Sequence, residues 1–316
     1  MVIKVLGKGF STPFSRGILA QRLSATGLDP KKAYSIAERL LLELQNKQVQ
    51  EISTEELDER IIGILLDEVG ETTAKRFLMY RKLRQLEEPI IILISGTTGV
   101  GKSTIASMLA SRLNIHYVIG TDIIREIFRK VLSKELFPSL HTSTYMAWKE
   151  LKRYIPPTYS REILGYEEQA KLVTVGIEAI SQRAFVEGIS MVIEGVHISP
   201  NLIAKEFLGN LNTIFMFLNL KDEKVHRERF HSRATNVVIK RPIERYLENF
   251  DSIRKIQDYL REQARITDIP IIENQNIDDT LKTMLDFVYH AIECIVTSKL
   301  SPEEIELLKI TKKSNF

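Results

Sequence analysis

From residue 89 onward the chain alternates short apolar runs with amphipathic stretches. Ile90 to Ile94 is a continuous apolar run, as expected for a central parallel strand covered on both faces. Further runs follow at Tyr117-Val118-Ile119, Met191-Val192-Ile193, Thr213 to Leu218 and Pro270-Ile271-Ile272, with helical segments between them. Strand-helix alternation of this kind predicts a doubly wound α/β sheet. Leu247, Phe250, Ile253, Ile256 and Leu260 keep a helical stripe, which reads as core.

Before residue 89 the pattern is different. Val2 to Leu6 is β-like and leads into a turn at Gly7-Lys8-Gly9. Ile18, Leu19 and Leu23 then recur at helical spacing. A second helix runs from about Pro30 through Ala33, Ile36, Ala37, Leu40, Leu41 and Leu44. Ser53-Thr54-Glu55-Glu56 is a capping-box pattern, with Leu57, Ile61, Ile64 and Leu65 following on one face. A fourth helix starts near Thr72 and ends in a charged stretch reaching Glu88. The expected organisation is a small, mainly helical module with one hairpin over 1–88, an α/β domain over 89–300 and a tail over 301–316.

Composition narrows the class without naming a function. The 316 residues are 44% hydrophobic and 27% charged, the balance of a globular protein. Lys+Arg of 44 against Asp+Glu of 41 leaves +3, too near balance to imply nucleic acid. The single Cys294 excludes an intramolecular disulfide and a cysteine-rich metal site; it reads as a small apolar residue in a helix. No charged leader precedes a long apolar stretch, and no run is long enough to span a bilayer. A cytoplasmic enzyme with no membrane partner is the expectation.

The chemistry begins directly after the first buried run. Gly96-Thr97-Thr98-Gly99-Val100-Gly101-Lys102-Ser103 fits G-x-x-x-x-G-K-[ST] and opens a helix carrying Thr104, Ile105, Met108, Leu109 and Leu113. The glycines let the backbone curl so that N–H groups converge on phosphate oxygens, and the helix N-terminus adds partial positive charge. Lys102 can reach the β- and γ-phosphates of ATP, and the Ser103 hydroxyl can ligate Mg²⁺. A nucleotide site is the firmest reading of the sequence.

Phosphoryl transfer also needs carboxylates and further cations. Asp122 follows Tyr117 to Thr121 and starts a helix, with Arg125 one turn on. This pair places a carboxylate near the γ-phosphate, as metal ligand or proton acceptor, and a guanidinium for an anionic acceptor. Glu194 ends the run Met191-Val192-Ile193 at the ligand edge of such a sheet and precedes His197. Arg227, Arg229 and Arg233, then Lys240, Arg241 and Arg245, fall where small P-loop kinases carry a lid that closes over the phosphates. Lys102, Asp122, Glu194, Arg229 and Arg233 are therefore the expected catalytic groups, with Ser103 and Asp122 on the metal.

Several stretches together resemble the archaeal 2-phosphoglycerate kinase family. They are Val118 to Glu126, Phe137 to Tyr145, Gly165 to Gln169 and Val192 to His197. Pro13 to Gly17, Gly27 to Pro30 and Phe77 to Arg81 make the N-terminal module similar to an ATP-cone, a nucleotide-sensing domain in other proteins. The resemblance implies ATP- and Mg²⁺-dependent phosphorylation of the 3-hydroxyl of 2-phosphoglycerate, giving 2,3-bisphosphoglycerate. On that likeness Arg125, His141, Ser143, Tyr145 and His197 are the expected acceptor contacts. It also implies a regulatory nucleotide at the cone, although Lys4-Val5-Leu6-Gly7-Lys8 departs from the consecutive Lys-Arg that usually opens one. A module used only for assembly, including assembly into a homo-oligomer, stays open beside it. A kinase for another hydroxyl acceptor and an ATP-sensing protein without transfer are the competing readings.

Overall fold

The computed structural model describes residues 2–7, 9–85, 89–236 and 243–301, with only the backbone for 85 and 232–236. The described residues of Met1–Glu88, Ser111–Asn114 and Phe287–Phe316 form one compact unit, and those of Pro89–Ala110 and Ile115–Asp286 form another.

The first unit begins with a hairpin of β1 (Lys4–Gly7) and β2 (Phe10–Pro13), followed by α1 (Arg16–Ser24) and α2 (Pro30–Asn46). A strand that periodicity did not predict, β3 (Glu51–Ser53), pairs parallel with β1 to give the order β2-β1-β3. Three residues are too few to show an alternation. α3 (Thr54–Glu68) follows at once, and the Ser53 hydroxyl accepts from Glu56 N–H, as the capping-box pattern requires. α4 (Glu71–Gln85) completes the module. Leu19, Leu23, Ile36, Leu40, Leu44, Leu57, Ile61, Leu65 and Phe77 share one core.

The described residues from Phe287 to Ser301 group with this unit, whereas the sequence reading assigned 287–300 to the α/β domain. Side-chain chemistry explains the grouping. The Tyr289 hydroxyl donates to Ala25 O, the Arg76 guanidinium sits 4.5 Å from the Tyr289 ring centroid, and Lys75 pairs with Glu293 at 2.5 Å. Cys294, expected to pack as an apolar residue, is exposed.

The second unit is built on five parallel strands. They are β4 (Ile91–Ser95), β5 (Tyr117–Gly120), β6 (Met191–Gly195), β7 (Thr213–Asn219) and β8 (Ile271–Glu273), in the order β5-β6-β4-β7-β8. Strand order reverses beside β4, and the doubly wound expectation holds. Register sets Ile94 against Glu194 and Ser95 against Gly195. Ile91, Leu93, Met191, Ile193 and Phe215 pack with Ile124, Val173 and Ile177, while the alternating residues Ile92, Ile94, Val192 and Met216 are equally buried. The three central strands β4, β6 and β7 are covered on both faces, which is why they read as nearly unbroken apolar runs.

The connecting helices are α5 (Lys102–Arg112), α6 (Thr121–Val131), α7 (Arg161–Glu187), α8 (Lys205–Leu208), α9 (Glu223–Asn236), α10 (Ile243–Glu248), α11 (Phe250–Ile266) and α12 (Ile277–Lys299). Two 3-10 turns, Pro138–His141 and Thr144–Glu150, lie between α6 and α7. Phe250, Ile253, Ile256 and Leu260 of α11 are buried with Phe217 and Phe230, as their stripe predicted. No helix among the described residues is long and apolar enough to cross a membrane.

Candidate active site

The Gly96–Ser103 segment joins β4 to α5 with three glycines at positive φ: Gly96 at 150°, Gly99 at 89° and Gly101 at 92°. Substitution is also blocked by space. A Cβ on Gly96 would stand 2.6 Å from Leu218 O, and one on Gly101 would stand 2.7 Å from Asn274 Nδ2. The local sequence thus dictates the curl that the motif requires.

The outer side of the loop is held by side chains from distant elements. His226 Nε2 lies 2.8 Å from Thr98 O, which only accepts, so this nitrogen donates. Val100 O accepts twice, from Arg229 Nη1 at 2.8 Å and from Asn274 Nδ2 at 2.7 Å. In a trans peptide the N–H points opposite to the carbonyl. Fixing the Thr98 and Val100 carbonyls outward therefore aims the Gly99 and Gly101 N–H groups inward, where phosphate oxygens would lie. Lys102 is buried, with Nζ donating to Thr97 O at 2.7 Å, while Thr97 donates its own hydroxyl to Ile253 O at 3.2 Å. Ser103 and Thr104 are exposed on the first turn of α5.

Arg229 was expected on a lid, closing over phosphate. The structure instead turns its guanidinium onto the loop backbone and Asn274 O, where burial pulls its pKa below the usual guanidinium value. The reason is its helix face: Arg229 shares that face with His226 and Phe230. The His226 ring stacks on Phe230 at 5.3 Å, and Phe230 stacks on Tyr246 at 4.8 Å. Burial also lowers the His226 pKa to about 4, which keeps the ring neutral. The Arg233 side chain, Lys240 and Arg241 lie outside the described residues. Arg227 is packed over the Phe250 ring, 3.7 Å from its centroid.

The Ser103 hydroxyl donates to Glu194 Oε1 at 2.7 Å. Glu194 meets Ser103 because β6 is the immediate neighbour of β4. Asp122, expected as the second metal ligand beside Ser103, stands one strand further out, at the start of α6. It is exposed and pairs with Arg125 Nε at 3.3 Å. Arg125 is itself buried and donates through Nη1 to Thr142 O at 2.6 Å. Glu194 also lies along Gly120, where a Cβ would stand 3.3 Å from its Oε1. The charges of Asp122, Arg125 and Lys102 all act on the ring of His197, so these groups occupy one neighbourhood.

Of the remaining expected acceptor contacts, both histidines are engaged by other protein groups. His197 is fully buried, with Nδ1 facing Thr121 Oγ1 and Nε2 facing Thr144 Oγ1 and Gln169 Oε1. His141 donates to Leu132 O at 3.1 Å. Tyr145 is buried with its ring 5.7 Å from that of Tyr246, and Ser143 caps the second 3-10 turn without a side-chain bond to it. Sequence reading missed His226, Asn274 and Gln169 as site-forming residues. Asn274 follows the end of a strand, the ligand side of a parallel sheet, and that position was the available signal.

The ATP cone domain family matches residues 2–86, and the Zeta toxin family matches residues 76–161. Over 307 residues the chain is 45% identical to a 2-phosphoglycerate kinase of Methanopyrus kandleri, covering 97% of this chain and 90% of that one. The chain belongs to the 2-phosphoglycerate kinase family. A second family member, from Pyrococcus horikoshii, is 41% identical over 295 residues, with 92% and 96% of the two chains covered. A third, from Methanothermobacter thermautotrophicus, is 40% identical over 282 residues, covering 89% and 92%. The family resemblance read from Gly120-Thr121-Asp122 and Glu194-Gly195-Val196-His197 is thereby borne out across nearly the whole chain.

Proposed function

We propose that this chain is a kinase that transfers the γ-phosphoryl group of ATP to the 3-hydroxyl of 2-phosphoglycerate, forming 2,3-bisphosphoglycerate. The observation that carries the reading is the likeness to 2-phosphoglycerate kinase along 97% of the chain. The geometry supports it through a phosphate loop held open from behind and two strand-end carboxylates with different surroundings.

The donor set fits Mg²⁺. An exposed hydroxyl on Ser103 and a carboxylate oxygen on Glu194, 2.7 Å apart, are hard oxygen ligands suited to that ion. Ser103 and Glu194 would hold the ion, which would supply positive charge to offset that of the transferring phosphate. Lys102 exchanges the Thr97 carbonyl for phosphate, and the Gly99 and Gly101 N–H groups add fixed donors. The acceptor's 3-hydroxyl oxygen bonds to the γ-phosphorus as the bond to the β–γ bridging oxygen breaks. Asp122, the exposed carboxylate, receives the hydroxyl proton. Arg125 orients Asp122 and supplies positive charge toward an acceptor that carries a phosphate and a carboxylate.

The test is the product formed from ATP, Mg²⁺ and 2-phosphoglycerate, read by phosphorus NMR with ADP release in parallel. ADP with a bisphosphorylated glycerate is the expected outcome. Turnover of another hydroxyl acceptor in the same panel, with none on 2-phosphoglycerate, would discard the acceptor assignment.

A further inference from the structure

After β6 ends at Gly195 the chain enters a loop, Val196 to Pro200, in which every residue is buried. His197 lies within it, and three side chains from three other segments converge on the ring. Thr121 Oγ1, from the first residue of α6, is 2.8 Å from Nδ1. Thr144 Oγ1, from the second 3-10 turn, is 3.1 Å from Nε2, and Gln169 Oε1, from α7, is 3.0 Å from the same nitrogen.

The protons in this cluster have one consistent arrangement. Gln169 Nε2 donates to the carbonyls of Ser139 and Thr142, which only accept. The amide orientation is therefore fixed, and the atom it presents to His197 is an oxygen that only accepts. Nε2 of His197 must then carry the hydrogen. Burial lowers the ring's pKa to about 3, so the ring holds a single hydrogen and Nδ1 is an acceptor. The Thr121 hydroxyl is the donor to it. Close packing enforces this contact, because a Cβ on Gly195 would stand 1.7 Å from Thr121 Oγ1.

The bonds close on themselves. Thr142 O, engaged by Gln169, also accepts from Arg125, and Arg125 pairs with Asp122, the residue after Thr121. We propose that His197 is a positioning residue, a neutral Nε2–H imidazole that fixes the start of α6, and with it Asp122 and Arg125, against the Glu194 end of β6. It acts through Thr121 and Gln169 and touches no reactant. The proposal rests on the kinase reading for its consequence in turnover, but the tautomer stands apart from that reading.

Thr121→Val removes the donor with little change of volume, and Thr121→Ser retains it. Below the melting temperature of each variant, Thr121→Val is expected to lower kcat for acceptor phosphorylation about tenfold or more, with the KM for ATP changed by no more than about threefold. Thr121→Ser is expected to recover kcat to within about threefold of the parent. A lowered Tm with unchanged kcat, or equal losses in both variants, would overturn the proposal. Nitrogen NMR of the ring in the intact chain needs no turnover. An Nε2–H tautomer that stays neutral down to about pH 5 is expected; an Nδ1–H tautomer or a charged ring there overturns the hub, even if Thr121→Val does not fold. Inactivity of the parent on 2-phosphoglycerate would sink the functional reading and leave the tautomer to decide this one.

Discussion

The Ser103 hydroxyl donates to Glu194 Oε1 at 2.7 Å across 91 residues of chain. The pair is set by the sheet, since Ser103 lies in the first turn of the helix after β4 and Glu194 is the penultimate residue of β6 beside it. Removing the charge from Glu194 keeps the hydrogen bond and weakens the hold on a cation. Glu194→Gln is expected to lower kcat roughly 100-fold, the usual cost of losing one preorganised electrostatic group. A Mg²⁺ titration of the rate checks it, with the midpoint moving to higher Mg²⁺ in the variant.

Arg229 and Asn274 share the Val100 carbonyl. Losing the planar fork of Arg229 leaves Asn274 as the remaining side-chain anchor on that carbonyl, with His226 still on Thr98 O. Arg229→Lys is expected to raise the dissociation constant for ATP about tenfold, or about 1.4 kcal/mol, by equilibrium titration. A lid arginine acting only on transferring phosphate would instead lower kcat and leave ATP binding unchanged.

Asp122 and Lys102 have separate parts in the proposed transfer. Asp122→Asn is expected to lower kcat about 100-fold or more while ATP binding persists. Lys102→Ala is expected to remove turnover by orders of magnitude through lost phosphate stabilisation. Circular dichroism establishes that each variant is folded, and steady-state kinetics with both substrates varied separates the two effects. Near-normal turnover in either variant would break the mechanism.

Two buried imidazoles give the fold an acid sensitivity. Burial holds His197 at about 3 and His226 at about 4, against 6.5 for a free ring. As pH falls below about 6.5 the unfolded chain binds protons that the folded chain does not. The stabilisation from neutral rings is thus complete above that pH and declines on acidification toward pH 4. The decline is at most about 1.4 kcal/mol per pH unit for each ring. Urea unfolding at about pH 7 and pH 5 is expected to show a shallower loss in His226→Gln than in the parent.

Much of the site was legible because it is written locally. The phosphate loop needs glycine at special φ, a buried strand before it and a helix after it, and all three are contiguous in sequence. The sequence placed Asp122 and Glu194 near strand ends on one edge of a parallel sheet, the ligand side, and the structure has them there. Arg229 was misplaced because charge pattern alone does not tell a guanidinium that reaches over phosphate from one that holds the loop from behind. Its true partners, Val100 O and Asn274 O, are 129 and 45 residues away. His197 likewise was expected on the acceptor, since nothing in the local string shows that Thr121, Thr144 and Gln169 enclose it.

The sequence by itself determined the loop's backbone, the strand and helix alternation and the family. These follow from residue types at fixed short spacings, and from likeness along the whole chain. Only the tertiary structure decided which carboxylate meets Ser103, which side chains hold the outward carbonyls of the loop and which nitrogen of His197 carries the hydrogen. Each of these depends on strand order and on donors meeting acceptors across long stretches of chain, and spacing along the sequence does not encode that.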